Sequence, residues 1–428
     1  MLRKKLVAVL LSLFILTGSV YAARPADFHQ KYQLKQVVIL SRHNIRSALS
    51  TDGSALAKLT PHSWFKWTSG PSELSLLGGE LETLMGQYFR KWLVAEGLMT
   101  ENYIPKSGEM RFYANSMQRT LATAQYFSTG MLPVANVRIE HKYAPSRMDP
   151  VFEPRFTFMT EPYRMLLLEQ TAEMAGGKLQ GINEMLKEEY ELLEKVLDLK
   201  DSQIAKEEGF THFRMDDLKI TSEVYKEPNM KGSLKLANQA SDAFILQYYE
   251  DPDPLSAAFG HEITQQDWEK IAHVKDVYGD VLFTTPAVAA QVANPLLRQM
   301  KKELTLKKRK FAFLCGHDSN LASVLAALKA EPYELPDTIE KKTPIGSKLV
   351  LSKWVDENRN EYISFDLVYQ TAEQIKNRTM LTLDTPPAVF PISLQGLAKN
   401  GDGLYKLSDV LQRFQTAIDQ YKILKKLK

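Results

Sequence analysis

Two short apolar runs constrain this chain most. Lys35–Ser41 (KQVVILS) and Lys310–Cys315 (KFAFLC) lack the polar alternation of a half-exposed strand and read as strands buried on both faces. Each breaks at once into a polar turn that holds a histidine, and each turn runs on into a helical stretch. Strands of this kind need helices on either side, and turns of this kind meet at the carboxyl ends of the strands. The expected fold class is therefore α/β: a mixed, mainly parallel sheet flanked by helices, with a functional site at one sheet edge.

The rest of the chain fills in that frame. Leu74 to Glu96 is helical by pattern, with Leu77, Leu81, Leu84 and Met85 on one face. Arg111 to Ala114 is a third strand candidate, and Ser347–Trp354 with Tyr362–Tyr369 predicts a late hairpin. From Glu161 to about residue 200, apolar residues at Ile182, Met185, Leu186, Tyr190, Leu193, Val196 and Leu197 recur at three and four, which predicts an amphipathic helix. The expected organisation is an α/β core over 23–143 and 261–428, with a smaller, mainly helical insertion over 144–260.

Charge and cysteine content exclude several classes of function. Arg3, Lys4 and Lys5 precede the apolar run Leu6 to Leu16, and Val20-Tyr21-Ala22 offers small residues for cleavage, so residues 1–22 are expected to be a secretory signal peptide. The apolar run is shorter than the ~20 residues of a spanning helix. Without those three cations 51 basic residues face 51 acidic ones, so no global field favours nucleic acid or an anionic membrane. The expected chain is exported and not membrane-bound after cleavage. Its one cysteine, Cys315, forbids an intramolecular disulfide and is expected to be a buried apolar residue.

The chemistry concentrates in Arg42-His43-Asn44-Ile45-Arg46, directly after the first strand. Two guanidiniums flank an imidazole there. Arginine pairs its planar fork with phosphate oxygens, and each at ~4 Å contributes roughly 4 kcal/mol at a surface-like dielectric. An imidazole inside such a clamp can attack phosphorus as a nucleophile. Taken alone, the string also fits a strand end with surface arginines and an incidental histidine. Gly316-His317-Asp318-Ser319-Asn320 adds a tight turn, a helix amino terminus suited to an anion, and in Asp318 an acid able to protonate a leaving oxygen. Asp318 could equally be a plain helix N-cap, a role open to Ser319 or Asn320 as well. Arg119, at the start of a helical stretch, would be a third cation on the same edge. A metallohydrolase reading finds little support, because His261-Glu262 lacks the second histidine of HExxH.

RHNIR, YANSMQRT (113–120) and GHDSN together make the sequence similar to the histidine acid phosphatases, branch 2 of the histidine phosphatases. More narrowly it resembles the bacterial periplasmic glucose-1-phosphatases, whose relatives include phytases. The likeness extends through MDPVFEP (148–154), LQYYE (246–250), LFTTPAVA (282–289) and TPIGSKLV (343–350). The resemblance implies an acid phosphatase of sugar phosphates, with inositol phosphates as the rival substrates, located in the periplasm. It implies His43 as nucleophile, Arg42, Arg46, Arg119 and His317 as phosphate ligands, Asp318 as proton donor, and neither metal nor other cofactor. It also implies a leaving-group contact from an acidic residue in the helical domain, here Glu227. A protein that only binds phosphorylated small molecules is the alternative from another class. The oligomeric state is not set by sequence.

Two positions depart from the usual family string: Asn44 stands where glycine follows the histidine, and Ala48 where proline follows the second arginine. Asn44 tolerates a left-handed turn, and the resemblance to the glucose-1-phosphatase branch, which shares it, makes it the mark of a subgroup. Ala48 is expected to loosen the loop.

Overall fold

The computed structural model describes residues 24–25, 27–48 and 54–427, so the expected signal peptide lies outside the described residues. Among the described residues ten strands occur in chain order: β1 (Tyr32–Arg42), β2 (Met110–Ala114), β3 (Ile139–Glu140), β4 (Lys219–Thr221), β5 (Asn229–Lys231), β6 (Phe311–Gly316), β7 (Lys348–Asp356), β8 (Glu361–Tyr369), β9 (Ala388–Pro391) and β10 (Tyr405–Lys406). Eight form one sheet in the order β10-β8-β7-β1-β6-β2-β3, with β9 also on β8, while β4 and β5 pair separately. The sheet is mixed. β1, β6, β2 and β3 run parallel, and β7 turns back antiparallel on the other side of β1 to begin the hairpin with β8.

The helices that matter for the site are α1 (Leu76–Ala95), α2 (Gln118–Met131), α3 (Glu161–Glu173), α4 (Gly181–Met185), α5 (Lys187–Val196), α6 (Ser233–Glu250), α7 (Gln265–Phe283), α8 (Asn294–Thr305), α9 (Asp318–Ala327) and α10 (Leu407–Lys425). Alternation along β1 explains the two layers. Val37 and Ile39 point into a cluster with Met85 and Phe89 of α1 and Phe127 of α2. Val38 and Leu40 point the other way, against Leu297 and Met300 of α8, Leu321 and Val324 of α9 and Phe414 of α10. All four β1 side chains are fully buried, each worth roughly 1.5–3 kcal/mol. Cys315 on β6 is buried as expected.

A third cluster gathers Leu193 and Val196 of α5, Phe244 of α6, Trp268 and Ile271 of α7, and Ile45 from the turn after β1. This helical layer therefore packs directly on the site turn. The amphipathic stretch from Glu161 is broken into α3, α4 and α5, a correction to the continuous helix. Its physical cause is Gly176 and Gly177, both in the left-handed region at φ +68° and +91°, which end the first segment. The apolar spacing that suggested one helix runs across α4 and α5, whose Ile182, Tyr190, Leu193 and Val196 join the same cluster while Met185 is left exposed. Among the described residues no helix is long and apolar enough to cross a membrane.

Candidate active site

The ends of three parallel strands are stitched together before any side chain is considered. Arg42 pairs with Gly316 across β1 and β6, His43 N–H donates to Gly316 O at 3.1 Å, and Asn115 N–H donates to Cys315 O at 2.9 Å. Gly316 is needed for close approach and not for an unusual φ, since a Cβ there would lie 2.3 Å from Asn320 Oδ1. That same oxygen accepts the His317 N–H at 2.9 Å, so His317 is the N-cap of α9 and Asp318 is its first helical residue. Capping thus falls to Asn320, while Asp318 Oδ1 accepts the Ser319 N–H at 2.9 Å and Oδ2 is left to Lys275 and Arg42.

The two histidines meet. Their ring centroids are 5.4 Å apart at 72°, and both line a cavity of about 370 Å³ together with Arg46, Arg119, Glu227, Lys275 and Asp318. Arg42 is buried at the edge of this group: Nη1 donates to Glu340 Oε1 at 2.6 Å and Thr343 O at 2.5 Å, and Nη2 lies 3.7 Å from Asp318 Oδ2. Arg46 Nη2 pairs with Asp242 Oδ2 at 2.8 Å, and Arg119 Nη1 donates to Ser72 Oγ at 2.6 Å. The Nε–H groups of Arg42, Arg46 and Arg119 are all buried without a hydrogen-bond partner. Arg46 and Arg119 line the cavity and Arg42 stands against Asp318 at its edge, so three guanidiniums supply positive charge that suits a bound tetrahedral anion.

Hydrogen bonds fix the tautomers. His43 Nδ1 lies 2.9 Å from Asn44 O, an acceptor only, so Nδ1 carries the proton and Nε2 keeps its lone pair. Asn115 Oδ1 accepts the Asp149 N–H at 2.8 Å, which turns its amide nitrogen toward His317 Nε2 at 2.7 Å. His317 is thereby protonated on Nδ1, 3.5 Å from Arg119 Nη2, and two donors stand side by side. Burial first, then the Arg119 guanidinium, holds both imidazoles well below the usual histidine range. Burial also pulls Arg119 itself down to about 10, with Arg46 adding to the effect.

Asp318 is treated oppositely. Burial would raise its carboxyl, but Lys275 Nζ at 2.8 Å and Arg42 together hold it well below the ordinary value. Glu227 comes from the loop between β4 and β5 and lies in the same cavity. Protein crowding, then Glu153, push its carboxyl upward against the pull of Arg119; its exposure to water moderates that push.

Asn44 does not use the left-handed conformation it could tolerate. It acts through its side chain: Oδ1 accepts the Ile45 N–H and Nδ2 donates to Glu82 Oε1, each at 2.8 Å. Glu82 in turn pairs with Lys348 Nζ at 2.9 Å, both side chains being wholly buried. Ala48 O accepts the Ser72 N–H at 3.2 Å, while residues 49–53 lie outside the described residues. Lys275, Asp242, Glu340, Asn115 and the Glu82–Lys348 pair were not anticipated. Asn115 lies in YANSMQRT and Lys348 in TPIGSKLV, but neither string assigned them a role, and the others lie in no local motif.

A family model described as the histidine phosphatase superfamily (branch 2) matches residues 33–369. The chain is 38% identical to a glucose-1-phosphatase of Salmonella typhimurium over 95% of this chain and 97% of that protein. It is 36% identical to a glucose-1-phosphatase of Providencia rettgeri, covering 90% and 92%, and 28% identical to the phytase AppA of Escherichia coli, again covering 90% and 92%. Among solved structures, a phytase from Hafnia alvei in its apo form superposes with a TM-score of 0.84 at 24% identity, covering 93% of this chain and 99% of that one. That likeness carries the fold.

Proposed function

Because this chain belongs to the histidine phosphatase superfamily (branch 2), we propose that it is an acid phosphomonoesterase of sugar phosphates working through a phosphohistidine on His43. The observation that carries this reading is the pair of imidazoles 5.4 Å apart that share one cavity with Arg46 and Arg119, with Arg42 against Asp318 at its edge.

On this reading the phosphoryl oxygens are held by Arg42, Arg46 and Arg119 and by His317 Nδ1–H. His43 Nε2 attacks phosphorus as the bond to the leaving oxygen breaks, and Asp318 delivers the proton that oxygen needs. The proton enters with the substrate, which is mainly a monoanion below its second pKa near 6. Water then attacks the phosphohistidine, Asp318 takes the water's proton, and the P–N bond breaks to return neutral His43. Cations fixed before the reaction need not reorganise as charge develops on the transferring group.

The glucose-1-phosphatase relatives at 36–38% identity, against 28% for the phytase, support a hexose phosphate over an inositol polyphosphate. Glu227 fits the same choice, since a carboxyl beside the clamp can hydrogen-bond sugar hydroxyls and repels further phosphates. We take 144–260 as the helical insertion on a core of 23–143 and 261–428, and Met1 to Ala22 as an export signal to the periplasm.

The test is a kinetic panel of glucose 1-phosphate, other hexose phosphates and phytate on the mature chain in EDTA, with acid-quenched protein examined for phosphohistidine. Glucose 1-phosphate should lead the panel, and one labelled phosphoryl group should map to His43. Phosphate binding with no turnover would make the protein a phospho-ligand binder instead, and substantial turnover by His43→Ala would remove the nucleophile assignment.

A further inference from the structure

We propose that His62, Asp198 and His261 form a zinc site in the helical layer, distinct from the catalytic cavity. The three residues come from separate segments. His62 follows the short helix Ala55–Lys58, Asp198 stands between α5 and the single turn Leu199–Asp201, and His261 follows the short helix Pro254–Ala257. All three converge on one point: His62 Nε2 lies 2.7 Å and His261 Nε2 3.1 Å from the same oxygen, Asp198 Oδ2. The three atoms lie within 4.8 Å of one another. None of the three residues lines the catalytic cavity.

Two imidazole nitrogens and one carboxylate oxygen are a donor set that zinc accepts, at about 2.0–2.2 Å from each ligand. Ligands at those lengths around a tetrahedron stand roughly 3.3 Å apart. The two histidine–aspartate separations, 2.7 and 3.1 Å, lie just inside that value, and the three ligand atoms all stand within 4.8 Å of one another, so side-chain rotation alone brings them around an ion. Three protein ligands leave the fourth position to water, so the site is exchangeable.

The cradle is held in place independently of any ion. The His62 ring stacks on Phe259 at 4.9 Å and 25°, and Phe259 packs in turn on Trp64 and Phe244. Asp198 is held in the left-handed region at φ +47°, which aspartate tolerates better than most residues. The three residues are partly exposed, so an ion can reach them. Sequence could not reveal this arrangement, because the partner of His261 is not in the following helical turn, where HExxH would put it, but nearly 200 positions earlier.

A bound ion would join three segments in a chain whose single cysteine denies it any internal disulfide. It would stabilise the fold by mass action, without entering the phosphatase reaction.

The test uses the mature chain, stripped with EDTA and dialysed at pH 7, then titrated calorimetrically with zinc chloride and melted with and without zinc. The wild type should bind one zinc equivalent at this site and melt at higher temperature with it. His62→Gln and His261→Gln should each weaken that binding at least about tenfold and abolish the shift in melting temperature. Phosphatase activity of the metal-free variants reports that they are folded. His62→Gln keeps an amide donor for Asp198, so it separates loss of the metal from loss of the hydrogen bond. Zinc binding equally tight in both variants would place the ion elsewhere, for example on His43 and His317, and would overturn the proposal, as would a wild type that binds none.

Discussion

Lys275 Nζ sits 2.8 Å from Asp318 Oδ2, the oxygen that Arg42 Nη2 approaches to 3.7 Å. The residue proposed as proton donor is thus held as an anion in the free protein, and its protonation depends on how strongly two cations oppose it. Lys275→Met removes the nearer one and raises the Asp318 pKa. An acid with a higher pKa stays protonated to higher pH, so the basic limb of the kcat–pH profile should move upward by about one unit. The sign for stability is the reverse. A carboxyl whose folded-state pKa is depressed adds stability above its unfolded value near 3.8, and that contribution shrinks when Lys275 is lost. A kcat profile with an unmoved limb would remove Lys275 from this role.

Asp318→Ala should separate substrates by leaving group. A sugar alkoxide needs a proton as its bond to phosphorus breaks, while a nitrophenolate does not. Turnover of glucose 1-phosphate should fall by roughly 10²–10⁴, and that of an aryl phosphate far less. Steady-state kinetics on both substrates checks this, and equal losses would count against a general acid.

The Glu82–Lys348 pair is wholly buried and also anchors Asn44, the residue after the proposed nucleophile. Lys348→Met leaves a buried carboxylate with the Asn44 amide as its remaining partner, and should cost about 3–5 kcal/mol in urea unfolding. Glu82→Leu combined with Lys348→Met should recover much of that stability. Activity should stay low in the double variant, because the Asn44 hydrogen bond to Glu82 is not restored.

Cys315 lies inside β6 with no exposed surface, and burial pushes its thiol well above the ordinary range. Native protein should resist a thiol reagent such as iodoacetamide at pH 8, and urea-unfolded protein should react with one equivalent per chain. Mass spectrometry after timed labelling reads the difference.

What could be read from the sequence follows physical locality. KQVVILS and KFAFLC announced β1 and β6 because a strand covered on both faces must be apolar throughout, and the turns that follow bring His43 beside His317. Arg119 was legible for the same reason, lying in the first turn of a helix just after a strand. Lys275, Asp242 and Glu340 were not. The first two lie on helices whose periodicity reports only which face is apolar, and the third lies in a loop beside the sheet, so nothing local ties them to the proposed phosphate clamp. Asn44 and Gly316 were recognised as special for a reason the structure replaces. Backbone conformation suggested itself, whereas the operative facts are an amide that bridges to Glu82 and a site with no room for a Cβ.

The pairing of Arg42 with Gly316 has a consequence for biosynthesis. The first arginines and the histidine between them are made early, yet the strand that aligns them comes near residue 311, and the strand on their other flank begins at residue 348. A growing polypeptide therefore stays inert toward phosphate esters until more than four-fifths of it has been translated, and a fragment ending before β7 would gain no activity however well its helices formed.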